Sequence, residues 1–183
     1  MRHPTIAPAA KMQFGVSPSP LAEPQFPQIT PLVSRPIKIE TIDSIGIGET
    51  PRLVYSTPEG RWSRLISKAE FNKIWSLYLK LKGLKDTLIL KSKINKSGVH
   101  LQTQRVTICI AQAEAKSFLS RYNRVAIAPL QVRLIPQGAV VWNENRSTLS
   151  LVKDGECTCE DWRYRQTICK HQIAAELCRS QSR

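Results

Sequence analysis

The chain has 183 residues, of which 42% are apolar and 22% are charged, so it is long enough for one domain with a tail or for two small domains. The 27 Lys and Arg residues outnumber the 14 Asp and Glu residues, and the net charge of +13 favours nucleic acid as a partner, although excess lysine also keeps small proteins in solution. No segment approaches the roughly 20 consecutive apolar residues that cross a bilayer, so we expect no membrane partner.

The cysteine content indicates the cellular compartment. The chain has five cysteines, an odd number, and four of them follow residue 150. This distribution is typical of metal-binding cysteines in a reducing compartment rather than of a disulfide scaffold. The N-terminus is interrupted by prolines and lacks the continuous apolar segment of a secretory signal. We therefore expect a cytoplasmic location, or a nuclear one if the source is eukaryotic.

Composition divides the chain into three regions. Residues 1–36 contain eight of the twelve prolines, which prevent regular ladders and helices, so this region is predicted to be a disordered tail. Residues 51–128 contain fifteen basic and four acidic side chains, a net charge of +11, and are predicted to form a basic α+β domain. Residues 129–183 carry a net charge of only +2 and hold most of the cysteines.

The first predicted elements are a strand at Arg52–Tyr55 and a helix that begins with a capping box of Ser67 and Glu70. Apolar residues then recur at helical spacing, and Gly83 ends the helix. They are Phe71, Ile74, Trp75, Tyr78 and Leu81. This stripe favours core packing over a surface on which bases stack, because it forms one continuous apolar face.

A hairpin is predicted next, from strand-like runs at Thr87–Ile94 and Val99–Ile110. Lys91 and Lys93 alternate on one face of the first strand, and Lys96 lies in the turn. These lysines are candidate phosphate contacts, but the same pattern is typical of a solvated sheet face, and the sequence does not decide between the two.

A second helix at Gln112–Tyr122 and three further strands complete the elements that precede the cysteine cluster. The strands are predicted at Leu130–Ile135, Ala139–Trp142 and Thr148–Val152, separated by turn-forming residues.

The most informative motif is Cys157-x-Cys159, a gap of nine residues, and Cys169-x-His171. Thiolate sulfur and imidazole nitrogen are the ligands that Zn²⁺ prefers, and two close pairs joined by a short loop provide the four that a structural site requires. A helix predicted at Lys170–Arg179 places Cys178 about 10 Å from His171, too far to bind the same ion. Cys178 and Cys109 are therefore expected in the core.

Two other interpretations of these residues are weaker. The cluster could be buried thiols and an imidazole without a metal, but paired ligand spacing argues against it. A catalytic pair of Cys169 and His171 would need a third orienting group, and the other histidines are His3 in the tail and His100, which is alone on its strand. Four protein ligands also close a zinc site to substrate, so we expect no enzyme and no small-molecule substrate.

The cluster resembles the SWIM-type zinc finger family, which is defined by Cys-x-Cys, a variable gap and Cys-x-His. The pair Asp161-Trp162, the strands before the cluster and the helix after it are also similar. The resemblance implies a zinc-stabilised ββα finger within residues 129–183, a Zn²⁺ cofactor, and a role in DNA binding or protein contact. It covers about the last third of the chain, and residues 1–128 resemble no family.

These observations lead to two expectations for function. The first is a nucleic-acid-binding accessory factor, with Lys91, Lys93 and Lys96 as the main phosphate contacts. Further contacts would come from three basic residues that flank the metal ligands, Arg163, Arg165 and Lys170. The second is an adaptor for a protein partner within a recombination, transposition or replication assembly.

Overall fold

The fold was described from a computed structural model, which places residues 38–45, 50–85, 87–127, 130–143 and 148–182. Residues 1–36 lie outside the described residues, so the disordered tail stays a prediction. The described residues form four helices and three antiparallel sheets, in agreement with the predicted α+β class. None of these helices is long and apolar enough to cross a membrane.

The first sheet contains three strands, of which the sequence predicted only the middle one. The strands β1 (Lys38–Ile45), β2 (Thr50–Thr57) and β3 (Gly60–Leu65) pair antiparallel in chain order. A turn at Pro58 and Glu59 connects β2 to β3, and Gly60 follows it with a φ of +143°, which favours glycine.

Helix α1 (Lys68–Leu81) begins at Ser67 as predicted, but its capping box is only half formed. The backbone N–H of Glu70 donates to Ser67 Oγ at 3.1 Å. The Glu70 carboxylate instead accepts a hydrogen bond from Arg64 at 2.9 Å, so the reciprocal bond of the box is replaced by an ion pair to β3.

The aromatic stripe of α1 lies in the core, which confirms packing over base stacking. Trp75 is completely buried and contacts the rings of Phe71, Tyr78 and Phe118 at centroid distances of 5.5 to 5.8 Å. Phe118 belongs to helix α2 (Gln112–Ile127), which is longer than predicted. These rings form the centre of the first core.

The second sheet has one strand more than the sequence predicted. It contains β4 (Lys91–Asn95), β5 (Gly98–Gln102) and β6 (Thr107–Ala111), which pair antiparallel in that order. The predicted second strand divides into β5 and β6 at a turn that Thr103 stabilises, because its hydroxyl donates to the carbonyl of Val106.

The third sheet and two helices form the C-terminal part of the fold. The sheet has four antiparallel strands in the order β10-β9-β8-β7, namely β7 (Leu130–Ile135), β8 (Gly138–Asn143), β9 (Leu149–Lys153) and β10 (Glu156–Cys157). Helices α3 (Glu160–Arg165) and α4 (Lys170–Gln181) follow, so the hairpin β9–β10 and α4 provide the expected ββα arrangement.

Helix α4 contributes to two hydrophobic cores. Ile173 joins the first core, whereas Ala174, Ala175 and Cys178 join a second core beneath the third sheet. The buried carboxylate of Glu176 also pairs with Lys80 of α1. These contacts connect the two predicted regions on either side of residue 128, and the boundary itself stays a prediction.

Candidate metal centre

The first ligand pair lies at the end of the hairpin β9–β10. Asp154 and Gly155 form its turn with φ values of 50° and 82°, and Cys157 pairs with Val152. Thr158 fixes the backbone between the two cysteines, because its N–H donates to the carbonyl of Leu151 and its hydroxyl accepts from the N–H of Leu151. Cys157 and Cys159 are thereby held at the edge of the third sheet.

The second ligand pair lies at the start of α4. Cys169 is the N-cap of this helix and His171 lies in its first turn, as the sequence predicted. The nine residues between the pairs contain the short helix α3, which was not predicted. Cys159 is the N-cap of α3, and Gln166 ends it in a left-handed conformation with a φ of 51°.

The four ligand atoms lie close enough together to hold one metal ion. All of them lie within 4.8 Å of one another, and the distance from Cys157 Sγ to His171 Nδ1 is 3.9 Å. Sulfurs of a tetrahedral zinc site with Zn–S bonds of about 2.3 Å are about 3.8 Å apart, so small inward movements complete the geometry. Cys178 is outside this group and is buried in the second core, as predicted.

The environment of the thiols makes metal binding and proton release interdependent. Hydrogen bonding with Cys157, together with burial, raises the pKa of Cys169 to about 12. Burial also raises the pKa of Cys159. These thiols are protonated at neutral pH without a metal, and Zn²⁺ must displace their protons to bind. A Cys₃His set leaves no open position, so Zn²⁺ would supply structural stability here.

Gln172 connects the two ligand pairs, a role that was not predicted from the sequence. Its side-chain oxygen accepts the N–H of Cys169 at 2.8 Å, and its side-chain nitrogen donates to the carbonyl of Gly155 in the hairpin turn. The side chain is buried, which is unusual for glutamine. Its position three residues after the N-cap, where a capping box places Glu or Gln, was the available signal.

The pair Asp161-Trp162 attaches α3 to the rest of the fold. Asp161 accepts a hydrogen bond from the buried Arg121 of α2 at 3.0 Å, and Arg121 also donates to Ser117 at 2.6 Å. Trp162 packs against the second core. Both members of this pair therefore have structural roles.

The six basic residues proposed for nucleic acid lie on two surfaces. Lys91 and Lys93 are exposed on β4, and Lys96 is exposed in the following turn. On the finger, three residues lie close to the metal ligands in sequence. Arg163 and Arg165 are exposed on α3, and Lys170 is half-buried beside Cys169.

Cys109 is not a core residue, contrary to the expectation from the sequence. It lies on the exposed face of β6, opposite His100 of β5, and its Sγ is 3.6 Å from His100 Nε2. His100 is also 3.1 Å from Asn95 Oδ1, so it is not alone on its strand. The prediction was wrong because only alternate residues of β6 face the core, and Ile110 takes the buried position.

Comparisons with known proteins agree with this geometry. The family model of the SWIM zinc finger matches residues 140–180, a segment that contains all four ligands. Neither the curated proteins nor the solved structures include one that matches this chain. The matched segment begins within β8 and ends within α4, so it includes the hairpin and both N-caps that hold the ligands. Residues 140–180 therefore match the SWIM zinc finger, and the cluster of Cys157, Cys159, Cys169 and His171 within them fits a Zn²⁺ site.

Proposed function

We propose that the protein is a nucleic-acid-binding accessory factor. The zinc finger is a structural unit, and the lysines on the exposed face of the second sheet make the main phosphate contacts. The observation that carries this proposal is the composition of the second sheet. Residues 87–113 contain Lys91, Lys93, Lys96 and Arg105 but no Asp or Glu. An exposed sheet face with lysines and no carboxylates attracts a polyanion.

The register of the second sheet supports a continuous basic face. Lys91 lies opposite Gln102, and Lys93 lies opposite His100, so these side chains share the exposed face. Within the described residues, neither lysine forms an ion pair with a carboxylate. Both ammonium groups are therefore available to a ligand.

The finger offers a second feature suited to nucleic acid. Tyr164 is 85% exposed, more than any other large apolar side chain among the described residues, and it lies between Arg163 and Arg165 on α3. An exposed aromatic ring on a helix that also carries basic residues is suited to stacking on a base of a single strand. This arrangement supports an auxiliary contact from the finger.

The chemistry of the metal site also supports a proposed cellular compartment and a binding rather than an enzymatic role. Zinc binding needs reduced thiols, so we place the protein in the cytoplasm, or in the nucleus of a eukaryote. A closed Cys₃His site supports a binding role rather than an enzymatic one.

The test replaces Lys91, Lys93 and Lys96 together by alanine and measures affinity for single-stranded and duplex DNA at several salt concentrations. We expect the affinity to fall for unrelated sequences, and the salt slope to decrease by about 0.7 to 0.9 for each phosphate that the variant no longer neutralises. The matched control replaces three exposed lysines elsewhere, Lys68, Lys73 and Lys153. Equal reductions of affinity in both variants, or no binding by the native protein at low salt, would reject the proposal.

A second candidate function is a protein-binding adaptor. Trp62 and Leu65 of the edge strand β3 are 53% and 57% exposed. Exposed aromatic and aliphatic side chains on an edge strand suit a protein partner. This function would be favoured if the chain bound a protein partner with an affinity that does not depend on salt, and if Trp62→Ala abolished that binding.

A further inference from the structure

A cleft of about 700 Å³ separates α2 from the zinc finger. Ser117 and Arg124 of α2 line one side, and Thr148, Arg165 and Lys170 line the other. The metal ligands Cys159, Cys169 and His171 also line it. Helix α2 lies outside the segment that matches the SWIM family, so the finger provides only part of the cleft.

The cleft is lined by four basic side chains and two carboxylates, Glu160 and Asp161, so its charge stays positive. Asp161 pairs with both Arg121 and Arg165 and offsets one of their two charges, and Glu160 offsets one further charge of the cleft. Arg124 and Lys170 pair with no carboxylate in the part of the chain that the structure describes. One comes from α2 and the other from the start of α4, so they face the same cleft from separate elements.

This combination of groups has the chemistry of a phosphate site. Guanidinium and ammonium groups bind phosphate oxygens by charge-assisted hydrogen bonds, and neighbouring serine and threonine hydroxyls donate further hydrogen bonds. Thr148 lines the cleft and is exposed, so its side chain is accessible to a ligand.

We propose that this cleft binds the phosphodiester backbone of a nucleic acid strand, with Arg124 and Lys170 as the main contacts. The inference rests on the proposed function and adds a second site to the basic face of the second sheet. It also gives the zinc site a role in recognition. Lys170 lies between the ligands Cys169 and His171, so metal binding would fix its backbone at the side of the cleft.

The experiment compares Arg124→Ala/Lys170→Ala with Arg133→Ala/Lys153→Ala in the full zinc-loaded protein. The control pair also removes one arginine and one lysine, and both of its residues are exposed on the third sheet outside the cleft. Affinity for a single-stranded thymidine oligonucleotide is measured against salt, with zinc content measured in parallel. The cleft variant should keep its zinc and bind at least about tenfold more weakly, and its salt slope should be smaller by roughly 1.4, since two phosphates are no longer neutralised.

Amide chemical shifts provide an independent readout. Titration of the native protein with the oligonucleotide should shift resonances of residues 117–124 and 148–171 that line the cleft. Native binding with equal reductions of affinity in the two variants, or shifts confined to the second sheet, would overturn the cleft site and leave the proposed function intact. An absence of binding by the native protein at low salt would overturn both. Preferential binding of an acidic peptide in the same cleft would replace nucleic acid by a protein ligand and overturn the inference.

Discussion

The side chain of Gln172 joins the two halves of the metal site, although it is not a ligand. It bonds to the backbone of Cys169 on one side and of Gly155 on the other, and it is almost fully buried. A change in its position moves the start of α4 relative to the hairpin that carries Cys157. Groups of this kind fix the orientation of metal ligands and strongly influence metal affinity.

Replacing Gln172 by alanine should lower zinc affinity by roughly 10- to 100-fold, because the side chain that ties one ligand pair to the other is removed. The unpaired Cys169 N–H and Gly155 carbonyl should also reduce the free energy of unfolding by about 1–3 kcal/mol. Competition with a chromophoric chelator measures the affinity. Gln181→Ala, on the exposed end of the same helix, is the matched control and should bind zinc normally. Equal affinities of the two variants would remove this role.

At the same scale, the ligand set could be predicted from the sequence, but the surroundings of the ligands could not. Two close pairs at a short separation define a tetrahedral site through local spacing alone. The burial of Gln172 and the exposure of Cys109 depend on which elements pack against each residue. Periodicity within one strand or helix contains no such information.

At the scale of elements, Arg121 and Asp161 attach the short helix α3 to α2. A helix of six residues has little stability by itself, so its position depends on such contacts. Asp161 also pairs with Arg165 one turn along α3, but Arg165 has a 70% exposed side chain, whereas that of Arg121 is 11% exposed. The two Arg–Asp ion pairs therefore have the same chemistry, but the one with Arg121 is much less exposed to solvent than the one with Arg165.

Arg121→Ala should reduce the free energy of unfolding by about 1–3 kcal/mol, because it removes charge-assisted hydrogen bonds from a mostly buried site. Arg165→Ala should cost less than about 0.5 kcal/mol, since exposed pairs one helical turn apart are weak. Chemical denaturation of both zinc-loaded variants provides the comparison. If the two substitutions cost the same, Arg121 does not anchor α3 in the way described.

Among the strands, the sequence predicted those with regular alternation and missed those without it. In β1 the register shifts between Ile39 and Thr41, so the buried residues Ile39 and Ile42 are three positions apart instead of two. Strand β3, at one edge of the first sheet, has no buried residue. Alternation of apolar residues is the main signal for a strand, and both elements lack it.

At the scale of the whole molecule, the two cores differ in their dependence on zinc. The first contains large side chains from α1, α2 and the first two sheets, and Trp75, Phe71 and Phe118 are essentially inaccessible to solvent. The second consists mostly of small residues from the third sheet and α4, and it includes the ligands Cys157 and Cys169. Such a small core contributes little hydrophobic stabilisation without the metal.

Removing zinc with a chelator should therefore unfold the finger and leave the first core intact. We expect loss of amide protection in β9, β10 and α3, with retained protection in α1 and α2, as measured by hydrogen exchange. Restored protection after addition of Zn²⁺ but not Mg²⁺ is the control, because thiolates prefer the softer ion. Loss of protection throughout the protein in one step would show that the two cores unfold as a single unit.

Because helix α4 is shared between the two cores, the finger cannot be separated from the rest of the chain without exposing apolar side chains. Residues 140–180 match the SWIM family, yet Ile168 and Ile173 within this segment belong to the core that residues 39–119 build. The segment also omits β7, which completes the third sheet. Transplanted into another protein, it would expose these isoleucines and an unpaired strand edge. In this protein the finger consequently depends on the preceding chain to bury its own apolar side chains.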